Sequence, residues 1–507
     1  MKILKEKISL TLFCATLSLF TLVAYHTPFF RVVFDNSEWS FNGVLIRGGL
    51  AVVMFALNFL IYYLLLYAGR MMGRCIIAIS LLCNSIALYF INSYEVLLTD
   101  KMMGNVFNTQ YSEASAFFSW QGVLYFLFLG VAPCIYLFWR KVDYGSAKRA
   151  GANLGVAFLV TAMAALGNFN NFTWIDKNAT QIGSLLMPWS YIVNSIRYHN
   201  AVKKQNAKEI LLPDATIATA GKDVCVLVIG ESARRDHFSL YGYERETNPL
   251  LASDDVTALM AKSAATYTTA GVKAILDHKP VSKLYEILPN YLHRAGVDVI
   301  WRTSNWGEPP LHIERYYKAA EHLKERYPNE DSRYDEILLA GLKEDILAST
   351  KDKLLIVLHT SISHGPTYFK KYPKEFELFA PVCTTVEMSK ADHDELINAY
   401  DNTILYTDYI LHSLIGILKD IPERRACMLF VSDHGESLGE NNLYMHGVPM
   451  SIAPKEQVEI PFIVWSSNQT LKIKNIEEAE QYHIFHSVLD FLGIESPIFN
   501  SEMTIFE

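Results

Sequence analysis

Long apolar runs dominate the chain up to about Gly167, and after about Lys203 short apolar runs alternate with amphipathic stretches. Five of the long runs, near 8–26, 44–68, 75–93, 118–139 and 150–168, reach the roughly 20 residues that a bilayer span requires. The first reads as a span rather than a cleaved leader, because no small-x-small site follows Val23-Ala24-Tyr25 and more spans come directly after it. Beyond them, Trp189, Tyr191, Ile192, Ile196 and Tyr198, followed by His199, Lys203 and Lys204, predict an amphipathic segment on a membrane surface. A polar linker runs from Pro213 to Gly221.

The second half carries a different rhythm. Val224–Ile229, Val297–Trp301, Leu354–Leu358, Cys427–Val431 and Phe462–Trp465 are short apolar runs of the kind found in a sheet covered on both faces. Helical patterns lie between them, at Lys283–Arg294, Tyr334–Ala348, about Ala391 to Leu418, and Ile476–Leu492. The pattern predicts a multi-span α-helical membrane domain over 1–170, an interfacial segment and linker over 171–222, and a doubly wound α/β domain over 223–507.

Composition and charge sharpen this division. With 51% hydrophobic residues over 507, the chain is too apolar for one soluble enzyme, and its net charge of −8 offers no basic footprint for nucleic acid. Basic residues cluster in alternate short loops: Lys2, Lys5 and Lys7; Arg70 and Arg74; Arg140, Lys141, Lys148 and Arg149. The positive-inside rule then keeps the N-terminus inside, and an odd number of spans delivers the α/β domain outside. Of seven cysteines, only Cys225, Cys383 and Cys427 fall in that domain, and their spacing reads as buried free thiols rather than a disulfide framework.

The candidate chemistry sits at strand ends, where open α/β sheets place ligand-handling groups. The run ending at Val431 is followed by Ser432-Asp-His-Gly-Glu436, and the first strand by Glu231-Ser232. Glu231, Asp433 and His434 together suit zinc. His364 and His446 each stand before a glycine in loop composition, as a second metal position or as acid/base groups for a leaving alkoxide. Such a site lacks a nucleophile of its own. Thr266-Tyr-Thr-Thr-Ala-Gly-Val272 offers hydroxyls that a bound zinc would activate, although a plain β-favouring threonine run accounts for the same composition.

These segments carry a family resemblance. Tyr241-Gly-Tyr-Glu-Arg-Glu-Thr-Asn-Pro249, Tyr334-Asp-Glu-Ile-Leu-Leu339, Leu358-His-Thr with Ser363-His-Gly-Pro-Thr-Tyr368, Tyr400-Asp-Asn-Thr403, Ser432–Glu440 and His446-Gly are the quoted stretches. Together they resemble the lipopolysaccharide phosphoethanolamine transferases, including the mobile colistin resistance enzymes. The resemblance implies an alkaline-phosphatase-like domain in the periplasm, anchored in the bacterial inner membrane by five spans. It implies Zn2+ held by Glu231, Asp433, His434 and a nucleophilic threonine, with His364 and His446 serving the substrate or a second zinc. Ungapped counting from Asp254 sets that threonine at Thr269, with Thr268 the alternative. The implied reaction takes phosphoethanolamine from phosphatidylethanolamine, through a phospho-threonine, to lipid A or another envelope acceptor. The sequence carries no signal for oligomeric state, and a monomer is the default. Asn105, Thr109 and Glu113 resemble the family's lipid-substrate loop.

The sequence also departs from that family. Gly271-Val-Lys-Ala-Ile275 replaces the usual Ser-Val-Pro after the nucleophile, which raises Lys273 as a phosphate neighbour. The family's disulfides are missing, and Thr303–Glu308 keeps Asn305 without the lysine often found nearby. Two rival readings follow from the same residues. One is a phosphoglycerol-type transferase of the same superfamily, and the other is an inactive membrane-anchored binding protein.

Overall fold

The computed structural model describes residues 7–109, 114–115, 117–205, 209–386 and 388–507. It divides into two compact units, Met1–His199 and Asn200–Glu507.

The first unit is helical: α1 (Leu10–Tyr25), α2 (Thr27–Asp35), α3 (Phe41–Tyr94), α4 (Asp100–Asn108), α5 (Trp120–Trp139), α6 (Ala147–Gly167), α7 (Phe172–Ser184) and α8 (Trp189–Gln205). Among the described residues, α3, α5 and α6 are each long and apolar enough to cross a membrane. The pair α1 and α2, bent by 63°, adds a fourth. At 54 residues a straight α3 would be about 80 Å long, far beyond a bilayer core. It is not straight. Arg70 leaves helical geometry (φ 39°, ψ −100°), and a Cβ on Gly73 would sit 2.0 Å from the Leu65 carbonyl oxygen, so the chain folds back there. Thr21 and Tyr25 of α1 confirm the return, the one meeting the Tyr62 hydroxyl at 2.9 Å and the other the Leu81 carbonyl at 3.5 Å.

The second unit is built on an eight-stranded sheet: β1 (Asp223–Gly230), β2 (Thr257–Lys262), β3 (Asp298–Thr303), β4 (Arg315–Lys318), β5 (Lys353–His359), β6 (Arg425–Ser432), β7 (Glu459–Ser466) and β8 (Ala479–Glu480). The strand order is β8-β2-β7-β6-β1-β5-β3-β4. β1 is central and buried along its whole length. Cys225, Leu227 and Ile229 face the cluster built with Val272 and Ile275 of α9 (Thr268–Leu276), Leu288 and Leu292 of α10 (Leu288–Arg294) and Phe485 of α12 (His483–Leu492). The opposite layer contains α11 (His393–Lys419), N-capped by Asp392, which packs against β6.

Several expectations are corrected. Three strands of low or alternating hydrophobicity, β2, β4 and β8, escape the apolar-run pattern, and β7 runs antiparallel to both its neighbours. The helix expected over 334–348 breaks at Gly341 (φ +59°) into a short 3-10 turn, Asp335–Leu339, and a helix, Leu342–Ala348. The helix expected over 476–492 begins only at His483. Cys225 and Cys427 stand opposite each other in register on β1 and β6, and all seven cysteines are free.

His278, just past α9, is buried with its ring edge-on to Tyr285 (5.2 Å) and Phe485 (5.9 Å). Burial, reinforced by Lys279, His486 and Lys273, lowers its pKa to about 4. Between about pH 6.5 and 4 the unfolded chain therefore takes up a proton that the folded chain refuses. Its contribution is complete above the unfolded value and is lost as pH falls through the folded one. His278→Phe should flatten the fall in Tm of the full-length protein between pH 6.5 and 4. Superimposable Tm–pH curves for the two proteins would exclude this role.

Candidate active site

Parallel pairing brings the two distant strand ends together. β1 and β6 are in register to the pair Gly230–Ser432, so the next residues, Glu231 and Asp433, leave the sheet side by side. The Asp433 amide donates to the Gly230 carbonyl (2.9 Å), and Asp433 Oδ1 accepts from the amides of Ser232 (3.0 Å) and His434 (2.7 Å). Ser232 turns the chain at φ +53° and donates its hydroxyl to Glu231 Oε1 (2.7 Å). Each of these bonds fixes a carboxylate on a rigid strand end.

The side chains converge without exposure. Glu231 is 2% exposed, and Asp433 and His434 are 0%. His434 Nε2 lies 3.3 Å from Asp433 Oδ2 and 3.5 Å from Glu231 Oε1. The His434 Nδ1–H donates to the Gly435 carbonyl (2.8 Å), which leaves the Nε2 lone pair facing the carboxylates. Burial and the neighbouring His446 lower the His434 pKa to about 4, so the ring is neutral near pH 7. Burial alone would raise the Glu231 carboxyl, but His364, His434 and His446 hold it below the usual carboxylate range. Burial and the Glu231 charge push Asp433 well above that range.

Two carboxylates facing each other out of water are unstable together without a cation. Asp433 Oδ2 is moreover buried with no hydrogen-bond partner. An orphaned carboxylate oxygen beside a second carboxylate and a bare imidazole nitrogen is a donor set that fits zinc. One ligand atom each of Glu231, His434 and His446 also falls within 4.8 Å of the others.

The structure separates the two candidate threonines. Thr268 opens α9, where backbone N–H groups lack helical partners. Its Oγ1 lies 3.3 Å from Glu231 Oε2 and 3.4 Å from His434 Nε2. Thr269, the residue reached by ungapped counting, is half-buried next to it, and the methyl groups of both threonines lie beside Gly307, where a Cβ would come within 3.1 Å of Thr269 Cγ2 and 3.6 Å of Thr268 Cγ2. Gly271 explains how α9 comes so close, since a Cβ there would sit 2.3 Å from the Asp433 carbonyl oxygen.

Asn305 is also brought in, donating from Nδ2 to Glu231 Oε2 (2.7 Å) and to the Thr360 carbonyl (2.8 Å). The His446 ring lies 4.3 Å from that of His434, tilted by 45°, and 5.5 Å from that of His364, edge-on. Lys273 is not brought in. Five helical residues place it about 140° around α9 from Thr268, and its ammonium pairs with Asp277. Asn105 and Thr109 lie in the helical unit, where the Thr109 hydroxyl donates to the Asn105 carbonyl (2.7 Å). Glu113 lies outside the described residues.

Glu436 had no role in the sequence reading. It is fully buried, accepts from the Tyr368 hydroxyl at Oε1 (3.0 Å), and meets His446 Nδ1 at Oε2 (2.9 Å). The signal was present, since both residues lie in the quoted stretches, but only the fold reveals that they meet.

Comparison with known proteins identifies the family. Residues 223–494 match the Sulfatase family model, and residues 53–202 match the model described as Phosphoethanolamine transferase EptA/EptB. The chain is 39% identical to phosphoethanolamine transferase EptA of Helicobacter pylori over 489 residues, covering 94% of this chain and 92% of the relative. It is 31% identical to phosphatidylethanolamine transferase Mcr-1 of Escherichia coli, covering 83% of each. The integral membrane lipooligosaccharide phosphoethanolamine transferase EptA of Neisseria meningitidis superposes with a TM-score of 0.90 at 26% identity, covering 99% of both chains. With a sulfatase-like domain carrying paired buried carboxylates, a helical membrane unit and relatives along nearly its whole length, the chain belongs to the lipid A phosphoethanolamine transferases of the alkaline-phosphatase superfamily.

Proposed function

We propose that this enzyme moves phosphoethanolamine from phosphatidylethanolamine to lipid A in two displacements at Thr268. The observation that carries the reading is the Thr268 hydroxyl, 3.3 Å from Glu231 and 3.4 Å from His434, beside the unpartnered Asp433 Oδ2. Zinc held by Glu231, Asp433, His434 and Thr268 would supply Lewis acidity, lowering the hydroxyl pKa and drawing charge from phosphate oxygens.

Thr268 Oγ1 attacks phosphorus and passes its proton to Glu231 Oε2, to which it donates, as the O–P bond forms and the bond from phosphorus to diacylglycerol oxygen breaks. His446, oriented through Nδ1 by Glu436, gives the departing oxygen a proton from its other nitrogen. An acceptor hydroxyl on lipid A then attacks the phospho-threonine, giving its proton to His446, as the Thr268 O–P bond breaks and the proton on Glu231 returns to Thr268 Oγ1. His364 lines the same pocket and offsets charge on the phosphate. The alternating basic loops support a five-span anchor in the inner membrane with the catalytic domain in the periplasm. The enzyme works as a monomer.

The test uses full-length protein in detergent. Zinc should bind one site per chain and raise Tm, because an ion present at 100 times its Kd stabilises by about 2.7 kcal/mol. Chelation should stop transfer and zinc should restore it. Incubation with phosphatidylethanolamine alone should leave a phosphoethanolamine increment on the peptide containing Thr268, read by mass spectrometry. A folded protein that holds no zinc, or an adduct on another residue, would overturn the reading.

A further inference from the structure

Two marked stretches, Tyr334–Leu339 and Leu358-His359, take no part in the chemistry above, yet each places a buried polar group against one loop. That loop, residues 304–308, leaves β3 without regular secondary structure, and past the bond from the Ser304 amide to the His359 carbonyl (3.1 Å) no helix or sheet ladder holds it. It presents Asn305, whose carboxamide is fully used. Nδ2 donates to Glu231 Oε2 and the Thr360 carbonyl, and Oδ1 accepts from the Trp306 amide (2.9 Å). A carboxamide bonded in this way has a single useful orientation, and the loop backbone sets it.

The loop is fastened on both sides of Asn305. Before it, the Ser304 hydroxyl donates to Asp335 Oδ1 (2.5 Å), and Asp335 Oδ2 accepts from the Ser361 amide (2.6 Å), which ties the β3 exit to the β5 exit. After it, His359 Nδ1 donates to Glu308 Oε1 (3.1 Å). Asp335 is 2% exposed and His359 is 0%, so water neither screens nor replaces these bonds. Glu308 therefore occupies the stretch that lacks the family's nearby lysine, and it points to a histidine rather than to solvent.

We propose that Asp335 and the Glu308–His359 pair are positioning residues, clamping the 304–308 loop where Asn305 fixes the Glu231 carboxylate for its metal. This rests on the reading of Glu231 as a zinc-binding residue. Outer partners of metal-binding carboxylates typically change affinity or activity by about 10–100-fold when removed. The clamp acts only through Asn305, which distinguishes it from a general contribution to folding.

The test is a double-mutant cycle in the full-length enzyme with Asn305→Ala, Glu308→Ala and both together. Zinc Kd is read by competition with a chromogenic chelator, alongside kcat and the KM for phosphatidylethanolamine. Each single variant should weaken zinc binding and lower kcat by about 10–100-fold, with KM changed less than about twofold. The double variant should be no worse than the worse single one, because both remove the same contact. Glu308→Gln should recover most of the loss, since its carbonyl still accepts from His359. Multiplying effects, a change in KM alone, or a Glu308→Ala enzyme equal to wild type would overturn the proposal. Wild-type zinc binding is measured first, and its absence would defeat the metal reading itself and the clamp with it. Should Glu308→Ala fail to fold, Ser304→Ala, which removes only the hydroxyl bonded to Asp335, enters the same cycle with the same criteria.

Discussion

Thr268→Ala should abolish phosphoethanolamine transfer, lowering turnover by on the order of 10⁴-fold or more, as loss of a covalent nucleophile does elsewhere. Thr269→Ala should keep turnover within about tenfold of wild type. The contrast follows from one residue of helical phase. Thr268 is the first residue of α9 and points its hydroxyl at Glu231 and His434, whereas Thr269 follows it on the helix and is only half-buried. A hydroxyl 3.3 Å from the site carboxylate is within reach of an ion bound there, and successive helical residues diverge by about 100°. Initial rates with phosphatidylethanolamine and lipid A, together with mass analysis of the trapped adduct, provide the measurement. A Thr268→Ala enzyme with wild-type turnover would return the nucleophile to Thr269 or remove the covalent step altogether.

Gly271→Ala should be nearly as damaging although it removes no chemical group. Its Cβ would stand 2.3 Å from the Asp433 carbonyl oxygen and 2.8 Å from the carbonyl carbon, and neither backbone atom can swing aside as a side chain would. Relief requires α9 to retreat from the end of β6. Overpacking of this kind costs about 1–3 kcal/mol of stability. The larger effect falls on catalysis, because about 1 Å of misplacement between Thr268 and its neighbours costs roughly 100-fold. Expected results are a lower Tm, weaker zinc binding and transfer reduced by about 100-fold. Gly416→Ala is the matched control. It lies on the exposed side of α11 with nothing within 4 Å of the added carbon, and should stabilise the protein slightly. Normal activity in the Gly271 variant would show that the contact is softer than the backbone geometry implies.

Much of the architecture is legible in the chain because burial on both faces leaves a plain mark. β1 and β6 read as unbroken apolar runs, and the membrane unit as runs too long for a globular core. Of the strands that escape the apolar pattern, β2 and β4 are half-exposed and carry lysine or arginine at their ends, so their burial pattern matches that of loops. The site is legible to a similar extent. Glu231, Asp433 and His434 stand at strand exits, where an acid or imidazole after an apolar run is conspicuous. Glu436, Tyr368, Glu308 and Asp335 are ordinary polar residues in sequence, and their meaning depends on partners 31 to 68 positions away.

The sequence alone determined a helical membrane unit joined to an α/β unit, and the set of acids and imidazoles on which a metal site would draw. Hydrophobic run length and residue chemistry are local properties, and they survive without coordinates. Tertiary structure alone brought the Thr268 hydroxyl to Glu231 and His434, paired Lys273 with Asp277, and set Glu436 against His446. Those outcomes depend on the register of β1 against β6 and on where α9 begins. A shift of one residue in either redirects every side chain involved, while leaving composition and periodicity unchanged.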